Sequence, residues 1–148
     1  GTPNLPLAGS FAVALAEAQV GVEERVLSVS AVRDQLWANI EKNVVPTPLL
    51  NGPALEHRVA NNLNLSIPGI VGDVTVLGLD ARGVAASTRS ACKTTAEAPS
   101  HVLAALGLTH AQAMTSLRLT LLPDATSAQA EHIASALQEV ALRYRTIV

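Results

Sequence analysis

The stretch Asn62-Leu63-Asn64-Leu65-Ser66-Ile67 alternates polar and apolar residues at every step. This period of two is typical of a β-strand with one buried face, because successive side chains point to opposite sides of a sheet. Residues 117–121 alternate in the same way, and Leu49-Leu50 fits a short edge strand before the Asn51-Gly52-Pro53 turn. The sequence therefore predicts a small mixed or antiparallel sheet with one wet face.

A long amphipathic helix is predicted to precede this sheet, over residues 5–43. Its apolar residues recur at helical spacing, at Val22, Val26, Val29, Leu36 and Ile40, with Trp37 widening the stripe. The charged residues, Arg33 among them, are predicted on the opposite side. Gly21 is expected to bend or interrupt the helix, and Pro46 and Pro48 follow its end.

Shorter helices are predicted between and after the strands. The first covers residues 73–82 and is closed by Gly83; two more cover residues 100–106 and 109–114, with Ser100 as an N-cap. The stretch Thr126-Ser127-Ala128-Gln129 is a capping box that opens a long C-terminal helix. The order of elements indicates a two-layer α+β domain with a long helix at each end.

Composition limits the classes of function. The chain has 148 residues, of which 49% are apolar and 15% charged, as expected of one globular domain. A formal net charge of −2 gives no electrostatic support for nucleic-acid binding. Apolar runs are too short for a membrane span, so no membrane association is expected. A single cysteine rules out an internal disulfide framework and suits the cytoplasm.

That cysteine lies in the stretch Ala86-Ser87-Thr88-Arg89-Ser90-Ala91-Cys92-Lys93, between two cationic residues. A thiol reacts as its thiolate, which nearby positive charge favours. The spacing alone nevertheless favours an inert thiol that packs as a small apolar residue. Both interpretations stay open from the spacing alone.

Arg118 is a candidate binding residue. Strand alternation places it on the face opposite Leu117 and Leu119, where its guanidinium can hold a carboxylate with two hydrogen bonds or remain solvated. The four histidines show no metal-ligand spacing and are expected at the surface or at helix ends: His57, His101, His110 and His132.

Several stretches, taken in order, resemble the C-terminal part of NifS/IscS-type cysteine desulfurases, which are pyridoxal-phosphate (PLP) enzymes of aminotransferase class V. They are Gly1-Thr2-Pro3-Asn4-Leu5-Pro6, Asn51-Gly52, Asn62-Leu63-Asn64-Leu65-Ser66, Ser90-Ala91-Cys92, Pro99-Ser100-His101-Val102-Leu103, Ala105-Leu106-Gly107 and Ser116-Leu117-Arg118-Leu119-Thr120-Leu121. The resemblance implies the small domain of a PLP fold type I enzyme, with residues 1–43 as a long connecting helix and residues 44–148 as an α+β core.

The resemblance also implies roles for individual residues. Cys92 would attack the sulfur of the substrate cysteine and carry it as a persulfide. Arg118 would bind the substrate carboxylate, and Asn64 would lie in the substrate site. Thr2 matches a threonine that reaches the cofactor phosphate of the neighbouring subunit in a homodimer. A sulfur acceptor would follow, such as an iron–sulfur scaffold or a tRNA-thiolation enzyme.

The chain departs from the family at two points. The S-x-H-K motif that carries the cofactor lysine is not found, and neither Lys42 nor Lys93 has that setting. We therefore expect this chain to lack the large domain that carries the PLP lysine, which would be either fused to it in a longer protein or encoded separately. The chain alone is expected to be inactive. A stand-alone persulfide carrier or interaction module, and a structural remnant with an inert thiol, are the alternatives.

Arg89 is the second departure, because it replaces the glycine of the family's S-G-S-A-C loop. An arginine takes up a positive φ less readily than glycine, so the loop is expected to start differently. We hypothesise that Arg89 stabilises the Cys92 thiolate or steers an anionic ligand. Alkylation of Cys92 against pH tests this, since an unchanged apparent pKa in Arg89→Gly would contradict the hypothesis.

Overall fold

The computed structural model describes residues 1–88 and 100–145, and within them the chain forms six α-helices, three β-strands and one 3₁₀ turn. The elements are α1 (Leu5–Gln19), α2 (Val22–Asn43), β1 (Leu49–Leu50), the 3₁₀ turn (Leu55–His57), β2 (Asn62–Ser66), α3 (Gly72–Asp80), α4 (His101–Ala105), α5 (His110–Met114), β3 (Ser116–Thr120) and α6 (Ser127–Tyr144). The three predicted strands are confirmed, and α3 ends two residues earlier than predicted.

The strands form one antiparallel sheet in the order β1-β2-β3. On one face, Leu63 of β2 lies opposite Leu119 of β3, and Leu65 lies opposite Leu117; all four are almost fully buried. The other face carries the polar residues of the same strands, so the predicted alternation is confirmed. This register places every apolar side chain of β2 and β3 toward the core.

The core lies between this apolar face and the helices. Leu36 and Ile40 of α2 and Leu137 and Val140 of α6 are fully buried and belong to the same apolar cluster as the strands. Helix α3 packs closely on α6, because a Cβ at Gly78 would lie 2.9 Å from both methyl carbons of Val140. The predicted two-layer α+β fold is thus confirmed.

The predicted interruption at Gly21 is also confirmed. Gly21 has a φ of +66°, a conformation that glycine adopts at little cost, and the axes of α1 and α2 differ in direction by 61°. The Arg25 guanidinium donates to the carbonyl oxygens of Ala18 and Val20, which satisfies acceptors at the end of α1. No single described helix is long and apolar enough to cross a membrane, although α1 and α2 together reach the length and composition of a bent span.

Arg33 corrects the prediction for α2. It was expected on the charged face, yet only 3% of it is exposed. Its guanidinium donates to the Val59 carbonyl oxygen at 3.0 Å and pairs with Asp34 at 2.7 Å. The prediction was wrong because the segment before β2 covers this side of the helix, and helical spacing carries no information about that segment.

The predicted N-terminal cap is confirmed for α6 and is confirmed only in its position for α4. The Thr126 hydroxyl accepts from the Gln129 backbone N–H at 3.3 Å, and Gln129 Oε1 accepts from the Thr126 N–H at 2.9 Å, so the capping box is confirmed. Ser100 occupies the N-cap position of α4 as predicted, but its side chain makes no capping hydrogen bond.

Candidate functional site

Arg118 and Asn64 face each other on the polar side of the sheet. They are paired residues of β3 and β2, with Arg118 exposed and Asn64 half-buried. On its other edge, the Arg118 N–H donates to the Ser87 carbonyl oxygen at 2.6 Å, and the Ser87 N–H donates to the Arg118 oxygen at 3.1 Å. Both of these backbone hydrogen bonds join Arg118 to Ser87, while β2 lies on the other edge of β3. The predicted place of Arg118 on the wet face is confirmed.

The charge of Arg118 is not neutralised by the described part of the chain. Within residues 1–88 and 100–145, no carboxylate lies within ion-pair distance of its guanidinium. A planar guanidinium matches the geometry of a carboxylate, which it can bind through two parallel hydrogen bonds. This arrangement favours binding of an anionic group above β3.

A buried polar network positions Asn64 beside Arg118. Asn51 Nδ2 donates to Asn64 Oδ1 at 2.8 Å and to Ser66 Oγ at 2.9 Å, and Ser66 Oγ in turn donates to the Gln112 carbonyl oxygen at 2.9 Å. Asn51 and Ser66 are 7% and 1% exposed. The Asn64 amide oxygen accepts inside this network, which leaves its NH₂ group as a hydrogen-bond donor beside Arg118.

Asn51 and Ser66 were not predicted as supporting residues. Asn51 was assigned to a turn and Ser66 to the wet face of a strand, and each assignment accounted for the residue type. The signals in the sequence were the Asn51-Gly52 stretch of the resemblance and the three polar residues that alternate along β2, namely Asn62, Asn64 and Ser66. Their mutual hydrogen bonds depend on a register that periodicity alone does not specify.

Cys92 and Arg89 lie outside the described residues, as does Lys93, so their predicted roles stay predictions. The described chain before them ends at Thr88, next to Ser87, whose backbone pairs with Arg118. Cys92 therefore follows Thr88 by four residues, and Thr88 is the neighbour of Ser87, which pairs with Arg118.

Thr2 is exposed, two residues before Asn4, whose side-chain oxygen accepts from the Leu7 N–H at 3.1 Å and caps α1. Among the described residues, no hydrogen bond joins Thr2 to Asn64 or Arg118. The structure thus pairs Asn64 with Arg118, whereas Thr2 precedes α1 and shares no described hydrogen bond with either residue.

A separate cavity of about 520 Å³ lies between the start of α2 and the segment before β2. Val22 and Val26, predicted in the apolar stripe, line this cavity and are 45% and 47% exposed. Arg58 also lines it, and burial, followed by the nearby charge of Arg33, lowers the pKa of Arg58 from its usual value. Neither Asn64 nor Arg118 borders this cavity.

The histidines do not gather around the polar face. His132 Nε2 lies 3.2 Å from the Arg82 carbonyl oxygen, and His101 and His110 begin α4 and α5. In the part of the chain that the structure describes, no three histidine, cysteine or acidic residues are close enough together to hold a metal ion.

Comparison with known proteins identifies several relatives of this chain. It is 34% identical over 147 residues to the cysteine desulfurase IscS of Methanosarcina thermophila, a match that covers 99% of this chain and 36% of the relative. It is 38% identical over 113 residues to IscS of Clostridium botulinum, covering 76% of this chain and 28% of that protein. The chain therefore spans about a third of the length of these relatives.

Solved structures agree with this likeness at the level of the fold. A NifS-like protein from Rickettsia africae superposes with a TM-score of 0.74 and 22% identity, over 95% of this chain and 35% of that one. A second NifS-like protein gives a TM-score of 0.78 at the same identity, over 97% of this chain. No family profile matches the chain. The resemblance inferred from the motifs is thereby confirmed, as is the fold that it implied.

Proposed function

We propose that this chain, similar over nearly its whole length to part of IscS cysteine desulfurases, is the small C-terminal domain of such an enzyme. The whole protein would convert L-cysteine to L-alanine and leave the sulfur as a persulfide on Cys92. The observation that supports this most directly is the pair formed by Asn64 and Arg118 on the polar face, in strands that match the family motifs. An amino-acid substrate offers the carboxylate that Arg118 can hold.

The described residues do not themselves fit PLP. A Schiff base needs a lysine in the site, yet the described lysine, Lys42, lies exposed in the last turn of α2. PLP would therefore be held mainly by the part of the protein outside this chain, and Thr2 would reach the phosphate of the cofactor in a neighbouring subunit. The cofactor, when bound there, supplies the electron sink that activates the substrate.

The steps left to this chain are binding and sulfur transfer. Arg118 would hold the substrate carboxylate and Asn64 would donate a hydrogen bond beside it, which fixes the orientation of the substrate. The Cys92 thiolate would form a sulfur–sulfur bond with the substrate sulfur. The carbon–sulfur bond breaks, its electron pair stays on the substrate carbon, and that carbon takes up a proton to give alanine.

Helix α1 supports the presence of a further domain. Its large apolar residues are between 48% and 75% exposed, and they are Leu5, Leu7, Phe11, Val13 and Leu15. None of its residues is buried, and Glu17 is its one charged residue. A helix that is apolar all round is normally buried in a protein core or membrane. We propose that the N-terminal PLP domain, together with a second copy in a homodimer, covers it.

The setting of the enzyme is part of the same proposal. We place it in the cytoplasm, where a free thiol is maintained, and its sulfur would pass to an acceptor protein such as an iron–sulfur scaffold or a tRNA-thiolation enzyme. The IscS name of the relatives supports the first of these acceptors.

The test compares the 148-residue chain alone with the chain joined to its large domain. We expect alanine from L-cysteine only in the joined protein, because the lysine that binds PLP would come from that domain. The chain alone should give no aldimine absorption band when mixed with PLP. A clear band, or alanine formation by the chain alone, would contradict the proposed division of the site.

A stand-alone persulfide carrier is the second candidate, because a carrier needs Cys92 but no lysine for PLP, and the described lysine, Lys42, lies exposed in the last turn of α2. The two functions separate when the chain is treated with a persulfide donor in the absence of PLP and then weighed intact. Uptake of one sulfur atom without any activity in the joined protein would favour the carrier. A structural remnant with an inert thiol would gain no sulfur.

A further inference from the structure

Thr88 is tied to two different elements at the point where the described chain stops before the cysteine. Its Oγ1 donates to Asp73 Oδ1, in the first turn of α3, at 2.8 Å. Its carbonyl oxygen accepts from Ser116 Oγ, at the start of β3, at 3.3 Å. Ser116 is 1% exposed, so this second contact is shielded from water. Thr88 is thus held by its side chain and by its backbone.

Gly72 makes this junction possible. A Cβ at this position would lie 2.4 Å from the Ser116 carbonyl oxygen and 2.7 Å from Thr88 Cγ2. Both distances are shorter than side-chain carbon atoms tolerate, so only glycine lets the start of α3 approach β3 and Thr88 so closely. The three segments therefore meet at close range, with side-chain and backbone atoms of Thr88 both in the junction.

The same junction is connected to Arg118. Ser87, the neighbour of Thr88, exchanges two backbone hydrogen bonds with Arg118. The position of Thr88 is therefore fixed relative to the proposed carboxylate-binding residue. Because Cys92 follows Thr88 by four residues, the path of the chain toward Cys92 starts from this fixed point.

We propose that Asp73, acting through Thr88, is a positioning residue that sets where the cysteine segment begins relative to Arg118. The inference rests on the proposed cysteine-desulfurase function. Asp73 acts through Thr88 and is assigned no contact with the substrate. Without the Asp73 carboxylate, Thr88 would lose a hydrogen bond and could adopt more positions. The Cys92 thiol, which follows Thr88 in the chain, would then reach the bound substrate less often.

Two substitutions at one position separate the hydrogen bond from the shape of the side chain. Thr88→Val keeps the branched side chain against Gly72 and removes Oγ1, whereas Thr88→Ser keeps the hydroxyl and should rescue the contact. Asp73→Ala removes the acceptor from the other side. Thr115→Val is the matched control, because half-buried Thr115 also loses one hydroxyl hydrogen bond, of 2.9 Å to the Gln112 carbonyl oxygen.

Hydrogen exchange at the Ser87 amide tests the anchor, because that amide donates to the Arg118 oxygen. We expect exchange to be about tenfold faster in Thr88→Val and Asp73→Ala, and within about twofold of wild type in Thr88→Ser and Thr115→Val. Unchanged exchange in both Thr88→Val and Asp73→Ala would overturn the proposal.

Kinetics of the joined protein test the role in positioning. We expect kcat for alanine formation to fall about tenfold in Thr88→Val, with recovery in Thr88→Ser, while KM for cysteine stays unchanged because Arg118 is intact. If wild type forms alanine and Thr88→Val is equally active, the positioning role is overturned and the proposed function stands. A wild type that forms no alanine would overturn the proposed function and the positioning role with it.

Discussion

Replacing Cys92 by serine is expected to abolish sulfur uptake by the protein. A serine hydroxyl stays protonated at neutral pH and cannot form a persulfide, whereas a thiol beside Arg89 and Lys93 in the sequence is expected to ionise more readily. Intact mass after exposure to L-cysteine in the joined protein is the measurement. Cys92 is the only cysteine in the 148-residue chain, so a gain of one sulfur atom that is lost in Cys92→Ser is assigned to it.

The control for this experiment is the structural state of the variant. Cys92→Ser should unfold at the same urea concentration as wild type if the thiol has a chemical role and no packing role. Alanine formation should fall together with persulfide formation, since both need the same thiol. A variant that still gains sulfur, or that forms alanine at the wild-type rate, would contradict the assignment of Cys92.

How far the sequence predicts this site depends on the kind of interaction. Alternation placed Arg118 on the wet face, because the period of a strand is a property of neighbouring residues. It could not show that Asn64 lies directly opposite, since register depends on how two distant strands pair. Asn51 was predicted in a turn, and the two hydrogen bonds that its side-chain NH₂ donates, to Asn64 and Ser66, appear only once the strands are in place.

Long-range contacts also explain the incorrect prediction for α2. Arg33 is charged, so its residue type favours solvent, but the carbonyl oxygen of Val59, distant in sequence, satisfies it in a buried position. Val22 and Val26 show the reverse, because their apolar residue type favours burial, yet they are 45% and 47% exposed. The described residues cover only the later part of the apolar stripe of α2. In both cases the sequence pattern indicates whether a residue type favours burial or solvent, and the tertiary structure determines whether that residue is buried.

The contact between Asp73 and Thr88 belongs to the same class. Asp73 in the first turn of a helix is well explained by the helix dipole, and Thr88 by a β-like stretch before the cysteine. Nothing in either local pattern links them across fifteen positions. The resemblance to cysteine desulfurases predicted the fold and proposed the chemical residues, whereas the supporting contacts required the structure.

Substitution of Arg118 should affect substrate binding more than any other change on the polar face. In the proposed function, Arg118→Ala would remove two charge-assisted hydrogen bonds to the substrate carboxylate, so we expect kcat/KM for L-cysteine in the joined protein to fall about 10³-fold, mainly through KM. Arg118→Lys keeps the charge but loses the planar pair of donors, and should recover only part of this loss. Asn64→Ala should have a smaller effect, because it removes one neutral donor.

The matched control is Arg143→Ala, which removes another exposed cation, from α6, where the guanidinium lies 5.9 Å from the centre of the Tyr144 ring. This variant should keep the wild-type KM, since its charge lies on another element and long-range effects of exposed charges are screened by salt. If Arg118→Ala and Arg143→Ala raised KM equally, the protein would attract cysteine only through overall charge. If Arg118→Ala lowered kcat and left KM unchanged, Arg118 would not be the group that holds the carboxylate in the ground state.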